Sequence, residues 1–401
     1  MNIRALTTKI KYKPIRISAR AMRYLTFYLL NFLGGILFYC LRLVRLLPPV
    51  VPFEKEKINK IVIFRPDMVG DVVLTTPLIK NTRENFPDAH ITIVVSAITK
   101  DIVAGNPYLD EIIVTRGTGL NNLLKDFPLI KLLRKRKFDL ALMPFPALSC
   151  NFFAFLTGAT HRIGYGDRGS RFLLTKSLTL AGFEVGKKHI IDVALDLLRV
   201  LDCEIRSRDR FVSVYEDGEK KAQYFFLKNN LNPQDKVVII HPGARKAYQL
   251  WPTAKFAELA DKLIEELKVK IIMLAGPADG NLVNDTIKKM RNPAVIASGF
   301  ELKDTVSLIK RGDLFIGHST GTTHIADALG TLTVMLIAFF NSGDSPKIWG
   351  LSNPNNIMVS NDTGCCGCIP SDCRDYHCIR DISVEKVFTA AKEQIDKIRA
   401  K

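Results

Sequence analysis

The chain has 401 residues, 47% hydrophobic and 24% charged, a balance that excludes global disorder and a length that points to two or three domains. Its 25 glycines and 19 prolines leave no room for a collagen-like or low-complexity reading. The net charge of +17 is unevenly placed: residues 1–53 hold Arg4, Lys9, Lys11, Lys13, Arg16, Arg20, Arg23, Arg42 and Arg45 and no acid, leaving +8 for all the rest, so no nucleic-acid partner is expected.

Within that arm, residues 24–41 (YLTFYLLNFLGGILFYCL) carry no charge. As a helix they would run about 27 Å, close to the thickness of a hydrocarbon core. Basic residues flank both ends, so a single span would carry Arg42, Arg45 and the downstream body across the bilayer. A re-entrant or interfacial helix keeps both flanks on one surface, against anionic lipid, and Gly34-Gly35 is placed to bend it. A cleaved signal peptide is disfavoured, because Arg42-Leu43-Val44-Arg45 follows where a small-residue cleavage site would stand. The alternative to membrane association is a helix buried against the body.

Pro48-Pro49-Val50-Val51-Pro52 reads as a stiff linker. Beyond it, short β-branched runs at Ile61–Phe64, Ile91–Val95, Ile112–Thr115 and Leu140–Pro144 predict buried strands, with helices over Asp71–Asn85 and Leu120–Lys137. A polar stretch near Glu216–Lys221 precedes a second series: strands at Val237–Ile240, Lys270–Leu274, Val295–Ala297, Leu314–Ile316 and Val334–Ile337, with a helix at Thr253–Leu267. Two βαβ series in succession predict an α/β protein of two doubly wound, Rossmann-like domains facing a cleft, residues 54–215 and 216–401, behind the arm of residues 1–53. In such sheets ligands sit beyond the carboxyl ends of the strands.

Three loops at those ends carry candidate chemistry. Arg65-Pro66-Asp67-Met68-Val69-Gly70-Asp71 follows the first strand, and Asp71 there either caps its own helix or faces the cleft as a general base. His241-Pro242-Gly243-Ala244-Arg245-Lys246 follows the first strand of the second series, and is either a solvated basic loop or a diphosphate cradle built from a glycine and two cations. Gly317-His318-Ser319-Thr320-Gly321-Thr322-Thr323-His324 opens a helix with a run of small and hydroxyl residues, which serve as caps or as an anion cradle, His324 capping or donating to a phosphate. No G-x-G-x-x-G or Walker loop occurs. A further basic, glycine-containing loop, Arg162-Ile163-Gly164-Tyr165-Gly166 with Arg168 and Arg171, is either solvated or contacts a phosphorylated acceptor.

Taken together, IVIFRPDMVGDVVLTTPLI (61–79), FPDAHITIVV (86–95), NPYLDEII (106–113), IIHPGARKAYQLWP (239–252) and FIGHSTGTTHIADALG (315–330) resemble the heptosyltransferases of glycosyltransferase family 9, which build the inner core of bacterial lipopolysaccharide. The resemblance runs from about residue 58 to 390. It implies a GT-B fold and an inverting transfer from a nucleotide-diphosphate sugar, typically ADP-heptose, to a lipid-linked saccharide at the cytoplasmic face of the inner membrane, with no metal at the reaction centre. It makes Asp71 the base and sets Gly243, Arg245, Lys246, Ser319, Thr320, Gly321, Thr322 and His324 around the donor. Arg65, Arg162 and Arg168, cations of the first domain's loops, are the candidates for the acceptor side. Two positions depart from many relatives: Gln249 replaces a lysine and Ser319 an aspartate. These keep a non-catalytic membrane-tethered assembly protein as an alternative; a nucleotide-sugar epimerase on the same architecture is the other, and the membrane arm argues against it.

Five of the eight cysteines fall in residues 365–378, ahead of a final helix at Val384–Ile398. Cys365, Cys368, Cys373 and Cys378 have a spacing that would supply thiolates to a structural zinc ion or iron–sulfur cluster; reduced structural cysteines and disulfides are the alternatives.

Overall fold

The computed structural model describes residues 19–117, 125–180, 188–338, 345–364 and 373–399. The β-branched runs form two parallel sheets. The first contains β1 (Lys60–Phe64), β2 (His90–Ser96), β3 (Glu111–Thr115), β4 (Leu140–Met143), β5 (His161–Tyr165) and β6 (Lys176–Leu178), in the order β3-β2-β1-β4-β5-β6. The second contains β7 (Val237–His241), β8 (Lys270–Leu274), β9 (Val295–Ala297), β10 (Leu314–His318), β11 (Leu332–Leu336) and β12 (Ile357–Val359), in the order β9-β8-β7-β10-β11-β12. The two orders are one topology used twice. Each sheet reverses its winding once, between β1 and β4 and between β7 and β10, and those switch points are where ligands bind in sheets of this kind.

Strands buried on both faces read as unbroken apolar runs rather than alternating ones. Val62, Phe64, Ala141 and Met143 face one way, packing with Leu133 and Phe153 of helices Phe127–Arg136 and Leu148–Leu156. Ile61, Ile63, Leu140 and Leu142 face the other way, into a core that continues through Val306 and Ile325 to Val237, Ile239 and Phe315 of the second sheet. The far face of that sheet, with Val238, Ile240 and Ile316, is closed by helices Thr253–Leu267 and Val384–Arg399. A buried ion pair, Arg210 with Asp327, ties the segment leaving the first domain to helix Gly321–Leu329.

Several expectations change on contact with the structure. The predicted helix Asp71–Asn85 is two helices, Val69–Val73 and Thr76–Asn85. Pro77 has no N–H to offer the Val73 carbonyl, and the Thr76 hydroxyl donates to it instead at 2.7 Å. Of the predicted helix 120–137, residues Phe127–Arg136 are helical, and part of the remainder lies outside the described residues. The basic loop expected at Arg162–Gly166 is largely strand β5, all of it buried.

The arm helix, Ala19–Leu43, runs without a break through Gly34-Gly35. Gly34 instead admits the Phe172 ring, which a Cβ there would overlap. Only 6% of the Tyr24–Leu43 stretch is buried, which overturns the buried-helix alternative.

Candidate active site

The first switch point holds a compact charged cluster. Strand β1 ends at Phe64, and Arg65 follows with a side chain only 1% exposed. Its guanidinium reaches Asp67 at 3.1 Å and Asp71 at 2.9 Å, its Nε donates to the Asp71 carbonyl at 3.3 Å, and it lies over the Phe145 ring at 5.3 Å. Helix Val69–Val73 then places Asp71 in its first turn, 21% exposed, with the Met68 backbone amide hydrogen-bonded to the carboxylate. Asp71 thus serves the helix start, as one of the two sequence readings has it, and keeps part of its side chain exposed at the carboxyl end of β1. Burial pushes its carboxyl above the usual 3.8, as does Asp67, while Arg65, the Met68 amide and Arg245 pull it back. A carboxylate with a raised pKa, held by a buried guanidinium, has the properties of a general base.

The second switch point holds a different set. At the end of β7, His241 touches the Asp279 carboxylate through Nε2 at 3.0 Å and the Thr322 hydroxyl through Nδ1 at 2.9 Å, and Thr322 in turn lies 3.0 Å from the Thr320 hydroxyl. The bond from His241 holds the Asp279 carboxyl below the usual carboxylate range. Asp279 only accepts, so His241 carries a proton on Nε2. With the proton on Nε2, Nδ1 accepts the Thr322 hydroxyl, which in turn accepts from Thr320. Gly243 and Gly276 are glycines because Asp279 occupies the space a Cβ would take at either.

Helix Gly321–Leu329 starts beside this chain, with no side-chain cap from Thr320, so its first N–H groups are left for an anion. Ser319, Thr320, Gly321 and Thr322 are half-buried at this mouth, and Arg245 is exposed in the loop after β7. Lys246 stands 5.1 Å over the Tyr248 ring. His318 is fully buried: it accepts the Trp251 N–H at 2.8 Å on Nε2 and faces the Gly243 carbonyl with Nδ1 at 3.3 Å, which fixes its tautomer. Burial lowers its pKa to about 4.

The two switch points meet directly. A Cβ on Gly321 would stand 2.8 Å from Val69 and 3.2 Å from the Gly70 nitrogen, so the starts of helices Val69–Val73 and Gly321–Leu329 are in backbone contact. His324 is buried at this junction, where a Cβ on Gly70 would come within 3.1 Å of its ring, and burial lowers its pKa to about 3. Its imidazole therefore stays neutral between the two helices, and its Nδ1 has no hydrogen-bond partner among the described residues.

The structure gathers Asp71, Gly243, Arg245, Ser319, Thr320, Gly321 and Thr322 around one cleft, and the charge of Arg245 is felt at Asp71. Of the three acceptor-side arginines, Arg65 is committed to Asp67 and Asp71. Arg162 is buried in β5 with its guanidinium on the Ala159 and Leu173 carbonyls. Arg168 alone is exposed, its guanidinium 5.6 Å from the centre of the Phe145 ring that Arg65 also covers. Asp279, His241 and His318 were not singled out from sequence. Cys365 and Cys368 lie outside the described residues; Cys378 is buried in the second sheet's core, and Cys373 accepts the Tyr376 amide at 3.4 Å. No group of three or more metal-ligating side chains occurs among the described residues.

Comparison with known proteins gives a consistent picture. The profile of glycosyltransferase family 9 (heptosyltransferase) matches residues 127–378. Lipopolysaccharide heptosyltransferase 3 of Escherichia coli K12 is 27% identical over 276 residues, 67% of this chain and 79% of that protein. Among solved structures, a glycosyl transferase family 9 protein of Veillonella parvula superposes with a TM-score of 0.74 at 21% identity, covering 87% of this chain and all of that one. The E. coli ADP-heptose lipopolysaccharide heptosyltransferase II gives 0.68 at 19% identity, covering 85% and 99%.

Proposed function

The chain belongs to glycosyltransferase family 9, and on that premise we propose that it moves a heptose from ADP-heptose to a lipid-linked saccharide of the lipopolysaccharide-core type, inverting the anomeric centre. The observation that carries this reading is the contact at Gly70 and Gly321, which sets a carboxylate of raised pKa opposite an open helix N-terminus. ADP-heptose is the donor by which one solved relative is named. Asp71 accepts the proton of the acceptor hydroxyl as its oxygen attacks the anomeric carbon. The bond from that carbon to the diphosphate breaks, and ADP leaves with its charge held by Arg245, Lys246, the hydroxyls of Thr320 and Thr322 and the first N–H groups of helix Gly321–Leu329. The exposed apolar helix Ala19–Leu43 suits an enzyme that waits at a membrane for such an acceptor, which favours the cytoplasmic face of the inner membrane as its place of work. A structural zinc ion or iron–sulfur cluster on the C-terminal cysteines takes no part in this chemistry; metal analysis of the purified protein tests for it.

The test is a mass-spectrometric transfer assay with a panel of nucleotide sugars, ADP-heptose among them, and membrane lipid extract as acceptor. A heptose increment on lipid from ADP-heptose supports the reading. Transfer from another donor alone corrects the sugar. Absence of both transfer and nucleotide binding in folded protein favours the non-catalytic alternative that Gln249 and Ser319 keep open.

A further inference from the structure

Helix Ala19–Leu43 has two opposite faces with different partners. Phe27, Asn31, Gly34 and Phe38, spaced by four, three and four residues, lie on one side of the helix at about 100° per residue. This side holds the body. Asn31 donates to the Gly166 carbonyl at 3.3 Å and accepts the Arg171 amide at 2.7 Å. Gly169 brings its backbone against Phe27 and Leu30, Gly34 takes the Phe172 ring, and Phe38 packs on Phe155 and Phe172 at 5.1 and 5.0 Å. The far side carries Leu25, Leu29, Phe32, Ile36 and Leu43, each between 46% and 65% exposed.

Asn31 is the midpoint of the helix, and the loop it grips carries Asp167, Arg168 and Arg171. Were the helix to cross a bilayer, that loop would sit at mid-depth, where each charge costs about 2.5–3.5 kcal/mol and no water satisfies the loop's backbone. A helix lying in the membrane plane avoids this cost. It buries the Leu25–Leu43 side at the headgroup boundary and keeps the body in water. Arg45, exposed just beyond the helix, then lies at the same anionic surface.

We infer that Ala19–Leu43 is an in-plane membrane anchor whose inner face fixes loop 166–171, and through it the acceptor side of the cleft, at the bilayer surface. Arg168 of that loop shares the Phe145 ring with Arg65, and Arg65 holds Asp71. The bilayer, the loop and the base therefore form one chain of contacts. The part of this inference that concerns the acceptor rests on the transferase reading; the part that concerns the helix does not.

Tryptophan placed singly at Leu25, Phe32 and Leu43 of the full chain tests the anchor, on phosphatidylethanolamine/phosphatidylglycerol vesicles containing lipids brominated at shallow or deep acyl positions. The unsubstituted protein supplies the background of Trp251 and Trp349. The expected result is equal, shallow quenching at all three sites. Deep quenching at Phe32 with shallow quenching at the ends would establish a span and overturn the inference, and no quenching at any site would show that lipid does not cover this face. The coupling is read with Asn31→Leu, which keeps the helix apolar. It should leave vesicle binding and ADP binding unchanged and lower transfer to bilayer-presented acceptor about tenfold, with the loss in acceptor KM. Unchanged transfer would overturn the coupling. If no variant or parent transfers sugar, the transferase reading fails while the quenching pattern still decides the anchor.

Discussion

The two switch points of this protein share one strand order and opposite chemistry. The first collects Arg65, Asp67 and Asp71 into a charge cluster in which burial, against the pull of Arg65, leaves the Asp71 carboxylate holding its proton more readily than usual. The second has a helix mouth of hydroxyls, with exposed Arg245 nearby and two histidines, His318 and His324, kept neutral by burial. The topology supplies the place in both cases, and the residues of two short loops decide whether that place accepts a proton or holds an anion. What makes them one site is the glycine contact between the two helix starts, which no side chain could tolerate at Gly321 without moving Val69.

This division of labour can be broken at each half. The largest effect is expected from Asp71→Asn, which should lower kcat by about 10²–10⁴-fold with donor binding retained. Arg65→Met removes the buried partner of Asp71 and should destabilise the fold by about 3–5 kcal/mol, read as a fall in Tm. It also removes the charge that pulls the Asp71 pKa down. Activity needs ionised Asp71, whose pKa already lies above the ordinary 3.8, so the acid limb of the pH–rate profile should move to still higher pH in this variant. Gly321→Ala forces the two helix starts apart and should cost about 1–3 kcal/mol, seen in thermal unfolding and in lower kcat. Thr322→Val cuts the hydroxyl chain from His241 and should lower kcat/KM for donor about tenfold, through both a higher donor KM and a lower kcat, the loss of one hydrogen bond to the diphosphate. The smallest effect, a few-fold rise in acceptor KM alone, is expected from Arg168→Ala, an exposed cation.

Much of this was legible in the chain. Short β-branched runs mark the central strands, and Asp71 and the Thr320–Thr322 run stand out because each lies in the loop that follows such a strand. Strands β5, β6 and β12 were not read. His161-Arg162-Ile163-Gly164-Tyr165 looks like a polar loop, and nothing in it announces that the Arg162 guanidinium is buried on two carbonyls. The Asp279–His241–Thr322 chain was equally hidden. Its members are 38 and 81 positions apart, and they meet only because β8 and β10 both flank β7 in parallel, which sets their carboxyl-end loops side by side. The paired requirement of Gly243 and Gly276 for Asp279 is the trace it leaves, and two isolated glycines are too common to reveal it. Arg65 is a candidate acceptor contact in the sequence; its burial against Asp67 and Asp71 is a tertiary fact.

The division between base and cradle is tested most directly by titrating ADP-heptose into Asp71→Asn and into the parent protein, with transfer to lipid acceptor followed on the same preparations. The account predicts equal donor affinity in the two proteins and transfer by the parent alone. Transfer by Asp71→Asn at the parental rate, or loss of donor affinity equal to its loss of turnover, would contradict it.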